Sequence, residues 1–552
     1  MNKKDMNKKV LRIIPLGGLG EVGKNMMILE YGRNILIIDS GLMFPENGMW
    51  GIDHIIPDFS YLNDKFDRVR GIVITHGHED HTGAIRHVAE QVDAPIYATP
   101  LTCGLLESKL RKAKLYDSDK LVQVNAGDSV DIGPFKVEFF HVCHSIPDTV
   151  GLGITTPLGL VVHSGDFKLD QTPTDDWPTD FAKIGEFAGR GVLALLSDST
   201  NADQPGWTPS EAIIDGAFDE AFRAADGRVL VATFASLISR VQQVINASYR
   251  HGRRVALVGT SMVVNSKMAI KLGYLKDPNN VLMPLDQALS LPKSKVTLMM
   301  TGSQGEPSSI LGRLAVGRNR RFDLEDGDTV IVSAHPIPGN EEVVSRTINR
   351  LIQRGSKVIY DPLLPVHVSG HANSEEQKQL IRMVKPKFFV PIHGELRMLH
   401  AHASLAQQVG IPSEDIAIVE NGTILELTSE SLTIGDRIPG GYVYVDGMGV
   451  GDIGPQVLRE RDRLSRDGFV IVNMMIDVET RELVHIPDIT SRGFVYVRDS
   501  EQLFLQAREK VVSIVKDNPD NKIVSKVEKS LSDFFYKKIR RRPIVCVLVN
   551  EV

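Results

Sequence analysis

The sequence predicts an α/β protein of several domains, and three observations carry that prediction. Its 552 residues exceed what one core holds, since domains run ~50–250 residues, so two to four are expected. The first 200 or so residues read as short apolar strands separated by glycine-rich turns. From 207 to 374 helical segments and strands alternate, the pattern of a parallel sheet with flanking helices. Composition agrees. With 42% apolar and 24% charged residues, disorder, collagen and coiled coil are excluded for the bulk of the chain. A net charge of −6 excludes a globally basic nucleic-acid binder and leaves room for a local basic groove.

The elements follow in order. LRIIPL (11–16), NMMILEY (25–31), NILIID (34–39), GIVITHG (71–77) and LGLVVHSGD (158–166) are expected strands. Asp39, His76 and Asp166 stand at or just past their ends, where rigid strands present polar groups to exposed loops. HTGAIRHVAEQV (81–92) spaces Ile85, Val88 and Val92 as a helix does. The middle block offers a helix at 210–225 and strands at 228–234, 253–259 and 328–334. EEQKQLIRMVKP then reads as a helix, and KFFVPIHGE as a strand ending in His393. The stretch 447–468 is glycine-rich and then charged, as a linker would be. Strands 469–477 and 543–549 around a helical 501–537 predict a small last domain.

Cys103, Cys143 and Cys546 have no CxxC spacing, so neither a disulfide framework nor a cysteine-rich zinc module is indicated. No apolar run approaches the ~18–20 residues of a membrane span, and the basic start runs into Gly17-Gly18 without a signal-peptide core. A soluble cytoplasmic protein is expected, with no membrane partner.

The sixteen histidines are unevenly placed. His76-Gly77-His78-Glu79-Asp80-His81 puts three imidazoles and two carboxylates into six residues, directly after a strand. These ligand types suit zinc or manganese. Gly77 is expected to turn the chain so that His76 and His78 face one ion, with Asp80 and His81 facing a second. One motif cannot close two sites. His144, Asp166 and His393, each alone at a strand end, complete the sets His76, His78, His144 and Asp80, His81, His393, with Asp166 free to bridge.

This arrangement closely resembles the metallo-β-lactamase superfamily: an Asp ending an early strand (Asp39), HxHxDH, a lone His and a bridging Asp. Asp198 in LLSDSTN, His371 in HVSGHA and His393 in PIHGE resemble its β-CASP branch, where an α/β domain is inserted before the last metal ligand. GGLGEVGKN, SAHPIPGNE (333–341) and the extra C-terminal domain are similar to the bacterial ribonuclease J family. The resemblance implies an αβ/βα sandwich at 1–206 and 375–446, an inserted β-CASP domain at 207–374, a linker at 447–468 and a small α/β domain at 469–552. It implies cleavage of RNA, 5′→3′ exonucleolytic and endonucleolytic, with two divalent ions, zinc first and manganese or magnesium as alternatives. Asp80, Asp198 and His371 would be catalytic, and Asp39 would orient a ligand or the turn. Ser333, His367, Ser369, Gly370 and His371 would hold a 5′ monophosphate, with Gly339 and Asn340 nearby. A homodimer or homotetramer, and association with other RNA-decay proteins, are further implications.

Other readings stay in view. Gly18-Leu19-Gly20-Glu21-Val22-Gly23 matches GxGxxG, but strands rather than a helix follow, so a glycine loop lining the metal edge is preferred to a dinucleotide site. The run Lys537, Lys538, Arg540, Arg541, Arg542 suits RNA, a solvated face or a dimer contact equally. Arg313, Arg318, Arg320 and Arg321 could grip phosphates from the inserted block. His335 carries no assignment. The competing functions are hydrolysis of small thioesters or lactams, which needs no second domain, and non-catalytic RNA binding, which the filled ligand positions oppose.

Overall fold

The computed structural model describes residues 10–46, 48–337, 339–495, 500–517 and 522–552. The basic start (1–9) and Pro338 of the SAHPIPGNE motif lie outside the described residues. The chain divides into two compact units, Met1–Phe44 with Ile55–Val443, and Pro45–His54 with Tyr444–Val552.

In the first unit two sheets face each other. One has eight strands in the order 432–437, 423–427, 11–17, 26–31, 34–38, 69–73, 96–98, 121–123. The other has six, in the order 388–392, 192–198, 159–163, 150–156, 135–141, 129–132. Leu11, Ile13, Leu29 and Leu36 of the first pack on Phe139, Leu152, Val161 and Val390 of the second. The outer faces are covered as well. Ile14, Ile28, Ile37 and Ile72 meet Ile85, Val88 and Leu106, while Phe140, Val162 and Phe389 meet Ile184, Phe187 and Leu380. Strands buried on both faces read as continuous apolar runs rather than alternating ones, which is why they stood out in the sequence.

A five-stranded, wholly parallel sheet follows in the order 254–258, 296–300, 229–232, 329–332, 357–360. Its interior strand Val296–Met300 and its edge strand Lys357–Tyr360 were not anticipated. The chain leaves the sandwich after the strand Val192–Asp198 and returns as Phe388–Ile392, and those two strands pair in parallel with Asp198 opposite Ile392. That pairing makes the inserted block a true insertion and sets Asp198 beside His393.

The expected helix at 81–92 is two short helices, Glu79–Thr82 and Ile85–Ala89. The break arises because Ala84 donates its N–H to Ser40 O at 2.9 Å. Ile85, Val88 and Val92 are nonetheless buried as their spacing predicted.

In the second unit, strands Asp488–Arg492, Phe469–Ile476 and Ile544–Glu551 form a sheet in that order. Val470, Val472, Met474 and Ile476 point into a core with Phe504, Val511, Val527 and Phe535 of the helices Glu501–Asp517 and Ile523–Ile539. The intervening residues face outward, as a one-sided sheet requires. The stretch expected as a linker, 447–468, holds the helix Pro455–Asp467, which has no fully buried residue.

Candidate metal centre

Every candidate ligand sits at a strand end or shortly past it, Asp80 and His81 on the short helix Glu79–Thr82. His76 to His81 follow Val69–Val73, His144 follows Phe135–His141, Asp166 follows Gly159–His163, and His393 follows Phe388–Ile392. All seven come together. His76 Nε2 and His144 Nε2 lie 3.1 and 3.2 Å from His78 Nδ1. Asp166 Oδ2 lies 3.1 Å from His81 Nε2 and 3.7 Å from His76 Nε2, and Asp166 Oδ1 is 3.3 Å from His393 Nδ1. Asp80 Oδ2 is 3.5 Å from His81 Nε2 and 3.4 Å from His393 Nε2. Asp166 thus stands between the two sets.

Two close approaches depend on glycine. A Cβ on Gly41 would lie 1.6 Å from Asp80 O, and one on Gly370 would lie 2.7 Å from His144 Cε1. Gly77 acts differently from expectation. Its φ is not in the left-handed region, and what it provides is room beside Leu105. Asp39 and His393 do carry positive φ, 62° and 50°. Such conformations are costly for side-chain-bearing residues and collect at functional sites.

Asp39 reaches back to the HxHxDH segment. It accepts from Thr75 N at 2.8 Å and from His81 Nδ1 at 2.8 Å, which leaves His81 Nε2 facing the cluster. Gly370 O accepts from His144 Nδ1 at 2.8 Å and so turns His144 Nε2 toward His78. Orienting partners of this kind set which imidazole nitrogen is available to a metal.

The charges are arranged around a cation. Burial lowers His76 and His144 well below the usual histidine range and His78 to about 4, so these three imidazoles present lone pairs. Against the cost of burial, Asp166 and Asp80 raise His81, and Asp166 and Asp198 push His393 up to about 10. The carboxylates of Asp80 and Asp166 stay ionised, held down by His81 and His393 in spite of burial. His393 Nε2 is buried without a hydrogen-bond partner. Ligand atoms of His76, His78 and His144 lie within 4.8 Å of one another, as do those of Asp80, His81, Asp166 and His393. Converging imidazole nitrogens and ionised carboxylates are the donor set of a borderline divalent ion, and a divalent metal fits here.

Asp198 and His371 flank this cluster. His371 Nδ1 donates to Asp198 Oδ2 at 2.7 Å, and Asp198 Oδ1 is 3.1 Å from His393 Nδ1. Asp198, His371, Asp166 and His393 are themselves close enough to hold an ion. In the loop before His371, Ser369 Oγ accepts from Asn201 Nδ2 and from His371 N. His367 Nδ1 is buried without a partner, and the ring lies 4.6 Å from that of His335, which bonds Asp361. Ser333 departs from expectation. Its fully buried hydroxyl donates to Val366 O at 2.6 Å and accepts from Arg240, so it has no donor to offer a substrate. Of the inserted block's arginines, Arg321 pairs with Asp286 and Arg313 bonds Ser308 O.

Sequence reading missed Thr75 and Asn25. Thr75 Oγ1 bonds Asp39 at 2.9 Å and His76 Nδ1 at 3.1 Å. Asn25 Nδ2 lies 3.1 Å from both Asp80 O and His81 Nε2. The residue before HxHxDH and the end of the glycine loop were the available signals. That loop lies at the metal edge: Leu19–Gly20 pairs with Gly394–Glu395, directly after His393.

Family models match along the chain: a β-lactamase superfamily domain at 47–226, the ribonuclease J β-CASP domain at 226–351, a Zn-dependent metallo-hydrolase RNA specificity domain at 364–416 and the ribonuclease J C-terminal domain at 456–552. Ribonuclease J2 of Bacillus subtilis (strain 168) is 41% identical over 100% of both chains. Ribonuclease J 1 of Streptococcus pyogenes serotype M3 is 42% identical over 97% of each, and ribonuclease J of Synechocystis is 44% identical over 89% of this chain and 77% of its own. A crystal structure of a protein of unknown function from Enterococcus faecalis V583 shares the fold at TM-score 0.54 and 15% identity, covering 76% of this chain and 100% of that one. With likeness of this extent along the whole chain, and a metal centre built from the residues its motifs supply, the chain belongs to the ribonuclease J family.

Proposed function

We propose that this chain is a metal-dependent ribonuclease that hydrolyses RNA phosphodiester bonds, as a 5′→3′ exonuclease preferring 5′-monophosphate ends and also as an endonuclease, in RNA maturation and decay. The observation that carries this reading is Asp166 standing between the His76/His78/His144 set and the Asp80/His81/His393 set. That geometry suits two divalent ions, zinc first, with manganese or magnesium as alternatives. Bound there, such ions lower the pKa of a shared water and neutralise phosphate charge.

The side chains divide the remaining work. Asp80, His81 and His393 would hold one ion and His76, His78 and His144 the other, with Asp166 available to both. Asp198 fixes the His371 ring and supports a proton on it, so that Nε2 can donate to the leaving 3′ oxygen. His367, with its unpartnered Nδ1, Ser369 and the backbone around Gly370 receive a terminal phosphate. The substrate's backbone and 2′-OH are read more than its sequence. Action on cytoplasmic RNA, as a dimer or tetramer, completes the reading; among the described residues no helix is long and apolar enough to cross a membrane.

The test uses purified protein and end-labelled RNAs carrying 5′ monophosphate, hydroxyl or triphosphate, with and without chelator. Stepwise release of mononucleotides, fastest from the monophosphate and abolished by chelator, is expected. An unpaired buried donor costs ~1–3 kcal/mol, or about ten- to a hundredfold in rate, so His367→Ala with Ser369→Ala should blunt the end preference and spare internal cuts. Cleavage that survives complete metal removal would overturn the reading.

A further inference from the structure

We propose that the turn closing the helix Ile523–Ile539 is a separate RNA-binding site, built by the second unit alone to grip the phosphate backbone of single-stranded RNA. Lys537 and Lys538 occupy the last helical turn, and Arg540, Arg541 and Arg542 the residues that follow. All five are exposed. None forms an ion pair with a carboxylate among the described residues, and Asp467 accepts only the backbone N–H of Arg542, at 3.2 Å.

Unpaired surface cations are common, and cations near a helix C-terminus gain a little from its dipole. Two features go beyond that. Arg540 and Arg542 both lie over the Tyr536 ring, with Cζ at 5.3 and 4.3 Å from its centroid. Cation–π contact holds two guanidinium forks in place before any ligand arrives, so less side-chain freedom is lost on binding. Arg541, whose Nη1 donates to Phe494 O at 2.5 Å, anchors the turn to the domain. The Arg540 backbone is left-handed, φ 59°, which turns the chain so that the residues on either side of Arg541 project to the same ring. Fixed guanidinium pairs flanked by two lysines match a run of phosphates, each a bidentate acceptor, better than the separate carboxylates of an acidic protein surface.

That RNA is the polyanion rests on the proposed function, so the test measures binding and not cleavage. Full-length protein is titrated against a fluorescent oligouridylate in chelator, across a series of salt concentrations. The comparison is Lys537→Gln, Lys538→Gln, Arg540→Gln and Arg542→Gln together. Each phosphate contact to a single strand contributes ~0.7 to the salt slope, so losing up to four should make it shallower by about 2–3 and weaken binding roughly tenfold at moderate salt. Arg540→Lys with Arg542→Lys keeps the charge and loses the fork, and should fall between. Should the fourfold variant misfold by circular dichroism, thiouridine cross-linking of the unaltered protein decides: the peptide carrying Tyr536 to Arg542 must be labelled. Unchanged affinity and slope, an unlabelled peptide, or a smaller assembly with unchanged affinity per chain would each overturn the proposal, the last in favour of a self-association surface. Protein that binds through this turn yet cuts no RNA would sink the nuclease reading and leave this one standing.

Discussion

Asp198 Oδ2 lies 2.7 Å from His371 Nδ1 although 173 positions separate them. The strand pairing sets Asp198 opposite Ile392, and His371 comes from the loop before the helix Ser374–Val384, where its backbone O accepts from the Thr208 hydroxyl at 2.9 Å. Burial opposes charge on His371, and the Asp198 carboxylate more than compensates, raising its pKa. Asp198→Asn keeps the shape and removes the charge. Cleavage should fall ~10²-fold or more, the scale of a lost general acid, with metal content retained. Metal loss as steep as that of a ligand variant would place Asp198 among the ligands instead.

His78→Ala and Asp80→Ala test the centre itself. Each should lower bound metal, measured by elemental analysis, while the circular dichroism spectrum holds, because the neighbouring strands are secured by the cores on both faces of each sheet. Adding metal to the chelated protein should raise its melting temperature. A ligand present at a hundred times its Kd stabilises by ~2.7 kcal/mol. Equal melting temperatures with and without zinc would count against the site.

Gly370→Ala should act on the metal and not on the fold. The added Cβ would sit 2.7 Å from His144 Cε1 and 2.8 Å from Ser145 Cβ. His144 must move, and with it the nitrogen 3.2 Å from His78. Weaker metal affinity with a melting curve of unchanged steepness is expected. Unaltered metal binding would show that the loop simply relaxes.

A pH effect is expected at Asp148, four residues after the ligand His144. Burial pushes its carboxyl up to about 6, while hydrogen bonds from Leu101 N, at 3.0 Å, and the Tyr274 side chain pull the other way. The folded pKa lies above the ordinary aspartate value of 3.8, so the folded state binds the proton more tightly. Below pH ~4 both states are protonated; as pH rises from there through about 6, stability is lost. Two units correspond to ~2–3 kcal/mol. Asp148→Asn should therefore gain on the native protein as pH climbs through that window and keep a constant advantage above it. Urea midpoints at a series of pH values give the answer, and a constant difference throughout would contradict the shift.

The sequence by itself determined the chemistry and the class of fold. His76, His78, Asp80 and His81 are bound to one place by the covalent chain, since six consecutive residues at a strand end have nowhere else to go. The strands were legible because sheets covered on both faces demand unbroken apolar runs. The strand Phe469–Ile476 of the second unit also reads as an apolar run, broken only at Asn473, and its one-sided burial was decided by packing. What only the tertiary structure decided was everything resting on strand pairing between distant segments. Leu196 beside Val390 brings Asp198 and His393 together, and no local pattern encodes that partnership. Thr75 and Asn25 became site residues by facing Asp39 and His81, while Ser333 turned inward because Arg240 and Val366 offered its hydroxyl partners. Ligand identity is a property of side-chain chemistry, which a sequence displays. Orientation is a property of neighbours, which packing supplies.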